Sequence, residues 1–260
     1  MNRQRVSTSF VFPEPSGPVV ACALHAGHEV RDSLSLFLAV DDAERRREED
    51  PCTELIADVS VGLVQVLRSR FEVDLNRRRF RAVYTGPEDT WGLDPYRGEL
   101  PERERAVSLH LYDEFYARLE RLLGVMVASH GCAIVLDVHS YNHRRSGPGA
   151  PPDDPDANPE VNLGTGTMDA GRWGALAAGV VSDLSEAGLD VRENVRFTGG
   201  HMAAWAHKRF GGDVCVLALE FKKTYMDEWT GEVDEAHVER LRMALNGCVP
   251  GITEAACSRR

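Results

Sequence analysis

Apolar runs of strand length alternate along this chain with longer segments of helical periodicity. The runs at residues 19–24, 133–138 and 214–221 consist mostly of Val, Leu, Ile and Ala, which is typical of strands buried on both faces. Between Pro101 and Gly131, apolar side chains recur at every third or fourth position, and this spacing predicts a long amphipathic helix. Because strands and helices alternate, the predicted fold class is α/β. A chain of 260 residues is expected to form one domain over residues 1–260.

Weaker patterns predict the remaining elements. Further strands are expected at residues 6–12 and 71–75, and further helices at residues 53–70, 172–187, 201–210 and 234–245.

Residues 142–171 are rich in proline and glycine, which disfavours a helix or a central strand. We therefore expect a long loop there, and loops of this length inside a compact domain tend to be functional. This one is predicted to border the active site, with His143, Arg144 and Arg145 near the substrate.

The charge balance disfavours several classes of partner. The chain has 30 Lys and Arg against 41 Asp and Glu, a net charge of −11, so neither a nucleic acid nor an anionic membrane surface is expected to bind. The N-terminal apolar stretch is broken by prolines, and the most apolar segment, residues 122–138, is too interrupted to span a membrane. The six cysteines show no CxxC spacing and are expected to be reduced. These features predict a cytoplasmic protein and leave its oligomeric state open.

The charged run DDAERRREED, residues 41–50, is interpreted as a solvated helical face or loop.

Histidines fall at two predicted strand ends, where open α/β sheets place their ligands. His25 follows the strand at residues 19–24, with His28 and Glu29 directly after it, and His139 follows the strand at residues 133–138. A catalytic zinc ion uses three ligands of this kind and keeps one position open. An isolated pair such as His25 and His28 is more often a helix cap and a surface residue. The second strand-end histidine, His139, is what favours a metal site.

Two carboxylates belong to the same predicted strands. Asp137 shares a strand face with His139. We give equal weight to two roles for its carboxylate, which are to orient this imidazole and to accept hydrogen bonds from a neighbouring loop. Glu220 closes an apolar run, where a carboxylate is costly unless it is paired or used. We interpret Glu220 as functional.

Two further segments supply candidate substrate-binding residues. The segment VDLNR contains Asn76 and Arg77, and an arginine fork can grip a carboxylate through two hydrogen bonds, although Arg77 also begins a basic surface run. The segment ENVRFTGGH offers Asn194, Gly200 and His201, with a glycine pair that either lets the backbone approach a ligand or starts a helix.

The order of these segments resembles the zinc carboxypeptidase superfamily. ALHAGHE, VDLNR, LDVHSY and ALEF follow the order of its HxxE, DxNR, strand-borne HS(Y) and strand-borne Glu motifs. Within it, the chain is most similar to the N-formylglutamate amidohydrolase family, over roughly residues 19–225. The resemblance implies a central mixed, mostly parallel β-sheet flanked by helices.

The resemblance also implies roles for individual residues. His25 and His139 match metal-ligand positions, and Glu220 matches the catalytic carboxylate. Three residues after His25, where the superfamily has a glutamate ligand, this chain has His28, with Glu29 one place further on. Both ligand sets suit zinc, and we favour Glu29 slightly because it keeps a carboxylate ligand.

Asn76 and Arg77 match the pair that holds the substrate's free carboxylate in the superfamily. The other predicted substrate-binding residues are Tyr141, Asn194, Gly200 and His201.

The implied activity is that of a zinc-dependent amidohydrolase. It would cleave the N-acyl, and in particular the N-formyl, amide of a small acidic amino acid such as N-formyl-L-glutamate. One alternative is a zinc carboxypeptidase or γ-glutamyl hydrolase that acts on a peptide-like substrate. A more distant alternative is a non-catalytic protein that binds a metal or small molecule on the same fold, and Glu220 argues against it.

Overall fold

The computed structural model describes residues 9–257, and one seven-stranded sheet forms its centre. The strands are β1 Phe10–Val11, β2 Val19–Ala23, β3 Gly62–Val66, β4 Ala133–Tyr141, β5 Val161–Gly164, β6 Val191–Glu193 and β7 Val214–Lys222. Their order across the sheet is β1-β3-β2-β4-β7-β5-β6. Only the β1–β3 and β5–β7 pairs of the described sheet are antiparallel. The predicted α/β class with a mixed, mostly parallel sheet is confirmed.

Helices cover both faces of the sheet. They are α1 Asp32–Ser35, α2 Asp42–Glu48, α3 Thr53–Ile56, α4 Glu102–His130, α5 Ala170–Glu186, α6 His201–Phe210 and α7 Glu235–Cys257. Along β4, Ile134 and Leu136 pack into the core with α5 and α7, whereas Ala133 and Val135 pack into the core with α4 and α6. Both faces of the strand are therefore apolar, which explains its uninterrupted hydrophobic sequence.

The long helix α4 has the predicted bounds. It begins directly after Pro101, whose ring fixes a backbone angle that suits a helix start, and it ends at Gly131, whose φ of 80° is left-handed. Phe115, Leu119 and Met126 on one side of α4 are buried against the sheet. The predicted helices at residues 172–187 and 201–210 are confirmed as α5 and α6.

The predicted helix at residues 53–70 is wrong beyond its first turn. After α3 the chain turns into β3, which pairs in parallel with β2 and antiparallel with β1. Val64 and Val66 of β3 are buried, and the strand's neighbours on both sides satisfy its backbone. These long-range pairings outweigh the local helical spacing of the apolar residues. The predicted strand at residues 71–75 is also wrong, because this segment is a run of turns that presents Asp74.

Three other segments differ from prediction. The presumed loop at residues 142–171 contains β5, whose short sequence was obscured by the surrounding prolines. The last helix, predicted at residues 234–245, continues to Cys257 through Pro250. The prediction of a strand at residues 6–12 falls partly on residues 6–8, which lie outside the described part of the chain. Within the described part, this segment forms the short strand β1.

Across residues 9–257, none of the helices combines the length and the apolar character needed to cross a membrane.

Candidate active site

The candidate site lies at the carboxyl ends of three neighbouring parallel strands. His25 follows the end of β2, His139 lies near the end of β4, and Glu220 lies near the end of β7. His139 and Glu220 are Cα partners across the β4–β7 ladder. All three side chains line one cavity of about 480 Å³. The structure therefore brings together the three residues that the strand pattern singled out.

Asp50 completes a compact group with the two imidazoles. The ring centroids of His25 and His139 are 4.9 Å apart. Oδ2 of Asp50 lies 3.4 Å from Nδ1 of His25 and 3.1 Å from Nδ1 of His139. One ligand atom from each residue lies within 4.8 Å of the other two, and all three residues are buried.

Two further carboxylates orient the imidazoles from behind. Oδ1 of Asp74 lies 2.9 Å from Nε2 of His25, and Oδ1 of Asp137 lies 3.0 Å from Nε2 of His139. Asp74 and Asp137 are fully buried. Since an ionised carboxylate only accepts hydrogen bonds, the bond to Asp74 is donated by Nε2 of His25. Nδ1 of each imidazole faces Asp50.

This arrangement fits a metal ion. Nδ1 of each imidazole and a carboxylate oxygen of Asp50 lie close together, and Nδ1 of His25 has no hydrogen-bond partner within the described chain. Three acceptors without a donor between them repel one another unless a cation or a proton joins them. Two nitrogens and one oxygen, each imidazole backed by a carboxylate, are a ligand set that suits zinc.

The electrostatics of the group also favour a cation. Burial acts to lower the pKa of His139, but Asp137 and Asp50 outweigh it and hold that pKa well above its ordinary value. Burial would raise the pKa of Asp50, yet the neighbouring imidazoles of His139 and His25 bring it well below the usual range. The carboxylates around the two imidazoles thus stabilise positive charge where a metal ion would bind.

The structure places neither His28 nor Glu29, the two residues proposed as the third ligand, in the lining of the cavity. Nδ1 of His28 lies 2.5 Å from Oε2 of Glu49. The backbone of Glu29 forms a bridge to Arg68 beside β3. The structure instead places Asp50 beside the two imidazoles, because the loop after His25 runs along β3 and does not turn back into the cavity.

Asp50 was missed because it belongs to the charged run at residues 41–50, interpreted above as solvated. That interpretation is wrong for the end of the run: Glu48, Glu49 and Asp50 are all buried. Three consecutive acidic residues directly before Pro51 were the only signal in the sequence, and nothing local shows that they face inward.

Glu220 lies in the cavity with a carboxyl group suited to proton transfer. Removal from bulk water raises the pKa of Glu220 to about 7, although the attraction of His139 opposes this shift. A carboxylate with a pKa close to neutrality can both take up and release a proton during a reaction at neutral pH.

Arg77 and Asn76 line the cavity but are engaged by the protein. Nη1 of Arg77 donates to Oδ1 of Asp89 at 2.8 Å, and Nε lies 3.3 Å from Oδ2 of Asp74. Oδ1 of Asn76 accepts from the backbone N–H of Met202 at 3.0 Å, which caps α6. A ligand carboxylate would have to displace these partners of Arg77.

The glycine pair fits tightly against Asn76. A Cβ atom on Gly200 would approach Nδ2 of Asn76 to 2.2 Å, so that only glycine allows this contact. Asn194 lies outside the cavity lining, where its Oδ1 accepts from the backbone N–H of Thr165 at 2.9 Å.

His201 is also outside the cavity lining, with Nε2 2.9 Å from the hydroxyl of Tyr112. Tyr141 lines the cavity, and its hydroxyl donates to the carbonyl of Pro159. Asn194 therefore supports the loop after β5 and His201 contacts helix α4, whereas Tyr141 contributes its ring to the cavity wall.

The loop after β4 contributes Asn142 and Arg145 to the cavity lining. Arg145 forms a two-pronged ion pair with Glu48, at 3.1 Å to Oε1 and 2.9 Å to Oε2. The backbone N–H groups of His143 and Arg144 instead donate to Glu228, outside this cavity.

The fold and this site define the chain as an α/β protein with a candidate metal-binding active site at the carboxyl ends of its central strands. Residues 17–226 match the family of N-formylglutamate amidohydrolases. The chain therefore belongs to the N-formylglutamate amidohydrolase family and is an amidohydrolase, which confirms the resemblance seen in the sequence.

Solved structures show the same fold. An N-formylglutamate amidohydrolase from Ralstonia eutropha JMP134 is similar with a TM-score of 0.78 and 19% identity, covering 96% of this chain and 99% of that one. A gene product from Agrobacterium tumefaciens is similar with a TM-score of 0.66 and 19% identity, covering 94% of this chain and 96% of that one. No curated protein sequence gives a significant match.

Proposed function

We propose that this protein is a zinc-dependent amidohydrolase that cleaves the N-formyl amide of a small acidic amino acid such as N-formyl-L-glutamate. The observation that carries the proposal is the convergence of His25, Asp50 and His139, which offer ligand atoms within 4.8 Å of one another, in the cavity that Glu220 also lines. Family membership supports the amide as the bond that is cleaved. The cavity, about 480 Å³, suits an amino acid derivative.

His25, Asp50 and His139 would hold the zinc ion. When bound, zinc polarises the acyl oxygen as a Lewis acid and acidifies the attacking water. Glu220 takes the proton of that water while its oxygen bonds to the acyl carbon. Glu220 then returns the proton to the nitrogen as the C–N bond breaks. The products are formate and the free amino acid.

The direct test is the release of primary amine from N-formyl-L-glutamate. We expect turnover by the metal-replete protein, a loss of at least tenfold after treatment with a chelator, and recovery on addition of zinc but not of magnesium, which prefers oxygen ligands. Zinc-replete protein that releases no amine would contradict the proposed substrate. Activity that survives complete removal of the metal would contradict the proposed chemistry.

Replacing Asp137 with asparagine should weaken zinc binding without emptying the site. An amide keeps the shape of Asp137 but loses the charge that orients His139 and strengthens its Nδ1 as a ligand. We expect an affinity for zinc about 10- to 100-fold lower, as is usual for such outer partners. Competition with a fluorescent zinc chelator measures this change. Asp183→Asn on the outer helix α5 is the control, and an equal loss in both variants would contradict the role of Asp137.

A further inference from the structure

Four arginines line the cavity among the described residues, and three of them are neutralised by carboxylates of the protein. The four are Arg70, Arg77, Arg145 and Arg196. Arg77 and Arg145 hold the carboxylates described above, and Nη2 of Arg70 donates to Oδ2 of Asp74 at 2.9 Å. A ligand that used any of these three groups would compete with a carboxylate already in place.

The cavity's lysine is also engaged. Lys223 is 1% exposed, and its Nζ donates to the backbone carbonyls of Arg47 at 2.7 Å and Glu49 at 2.6 Å. These bonds tie the end of β7 to the segment that carries Asp50. The role of Lys223 is therefore to fix this segment.

Arg196 differs from the other three arginines. Within residues 9–257 no carboxylate forms an ion pair with Arg196, and its Nη1 donates to the neutral amide oxygen of Asn158. The guanidinium lies 4.9 Å from the ring centroid of Tyr141 and 5.4 Å from that of Phe197. A partly buried cation without a counter-charge is costly, and an anionic ligand would remove that cost.

The backbone fixes Arg196 close to Glu220. The N–H of Arg196 donates to Oδ1 of Asn162 at 2.8 Å. Asn162 lies on β5 and is the Cα partner of Glu220 on β7. Asn162 therefore holds the backbone of Arg196, and Asn158 holds its guanidinium. Both contacts are present without a ligand.

We infer that Arg196 forms a subsite for a carboxylate of the substrate. This inference deepens the proposed function and rests on it for the assignment of the cavity as the substrate site. A guanidinium can donate two parallel hydrogen bonds to a carboxylate, and Arg196 has its Nε and second Nη available for them. The substrate class is an N-acyl amino acid that enters with its carboxylate toward Arg196 and its amide toward Glu220.

Binding of glutarate to the metal-loaded protein tests the subsite without requiring turnover. Isothermal titration calorimetry should show a Kd about 10- to 100-fold higher for Arg196→Met, because the variant loses charge-assisted hydrogen bonds. Arg196→Lys should show a smaller loss, since it keeps the charge and loses the fork. Arg192→Met is the matched control: Arg192 lies on β6, pairs with Asp190, is absent from the cavity lining and should leave the Kd unchanged.

An unchanged Kd for Arg196→Met, or no binding of glutarate by the wild type, would overturn the inference. If Arg196→Met is unfolded by circular dichroism, Arg196→Lys decides: a loss of at least threefold supports the subsite, and a wild-type Kd overturns it. If the wild type shows hydrolysis that zinc restores, but the Kd of Arg196→Met for glutarate is unchanged, the subsite is refuted and the proposed function stands. Binding that depends on Arg196 without any hydrolysis would refute the proposed reaction and leave the subsite in place.

Discussion

Replacing Glu220 with glutamine should lower kcat for N-formyl-L-glutamate by about 10²- to 10⁴-fold, the range usual for the loss of a general base. The amide has nearly the same shape as the carboxylate but cannot accept the proton of the attacking water. Because the metal ligands and Arg196 are untouched, KM should change little. Steady-state amine release, with zinc content measured on the same samples, gives both constants.

The control for this variant is Glu193→Gln. Glu193 ends β6, is exposed and lies outside the cavity, so the same chemical change there should leave kcat within about twofold. A kcat for Glu220→Gln within threefold of the wild type, at full zinc occupancy, would show that another group transfers the proton. The mechanism proposed here would then be wrong, although the metal site would stand.

The strands that were predicted correctly are those in which burial and sequence agree. β4 and β7 are neighbours at the centre of the sheet and are covered by helices on both faces, so nearly every position is apolar. β3 was predicted as part of a helix, because its apolar residues continue the helical spacing that begins at Thr53. What decides its structure is pairing with β2 and β1, and these partners are distant in sequence.

The residues of the candidate site also differ in whether a local sequence pattern could predict them. His25, His139 and Glu220 could be predicted because each follows or closes an apolar strand, and the ends of parallel strands meet at one edge. Asp50 could not be predicted in this way, because it arrives from the end of α2 and is turned inward by contacts that no local pattern records. Its backbone N–H donates to the carbonyl of His25 at 2.9 Å, which aligns the two segments that carry these candidate ligands.

The choice between Arg77 and Arg196 illustrates a second limit. Both arginines are visible in the sequence, and Arg77 is the better match to a family motif. Whether an arginine is available to a ligand depends on which acidic residue pairs with it in the fold. Arg77 forms an ion pair with Asp89, twelve positions further along the chain. The guanidinium of Arg196 instead donates a hydrogen bond to the neutral side chain of Asn158. Such pairing is a property of the tertiary structure and is not encoded in the spacing of a motif.

Replacing Asp50 with asparagine should lower the affinity for zinc by more than about 100-fold, a larger loss than expected for an outer partner such as Asp137. The amide oxygen is a much weaker ligand for zinc than a carboxylate, and the site also loses the negative charge that offsets the ion. The fold should survive, because the backbone groups of Asp50 make its bonds to His25 and Thr53. Chelator competition measures the affinity, and circular dichroism checks the fold.

Variants of the two residues first considered as ligands decide whether the assignment of Asp50 is correct. Glu29→Gln removes the same charge as Asp50→Asn and His28→Asn removes an imidazole, yet neither residue lines the cavity, so both variants should bind zinc within about threefold of the wild type. The expected order of affinity is therefore a large loss for Asp50→Asn, a moderate loss for Asp137→Asn and almost none for His28→Asn or Glu29→Gln. A loss in Glu29→Gln or His28→Asn that matches or exceeds the loss in Asp50→Asn would return the third ligand to the segment after His25. It would mean that metal binding draws this segment away from β3, since its backbone hydrogen bonds there, including that from Glu29 to the carbonyl of Leu67 at 3.0 Å, would have to break.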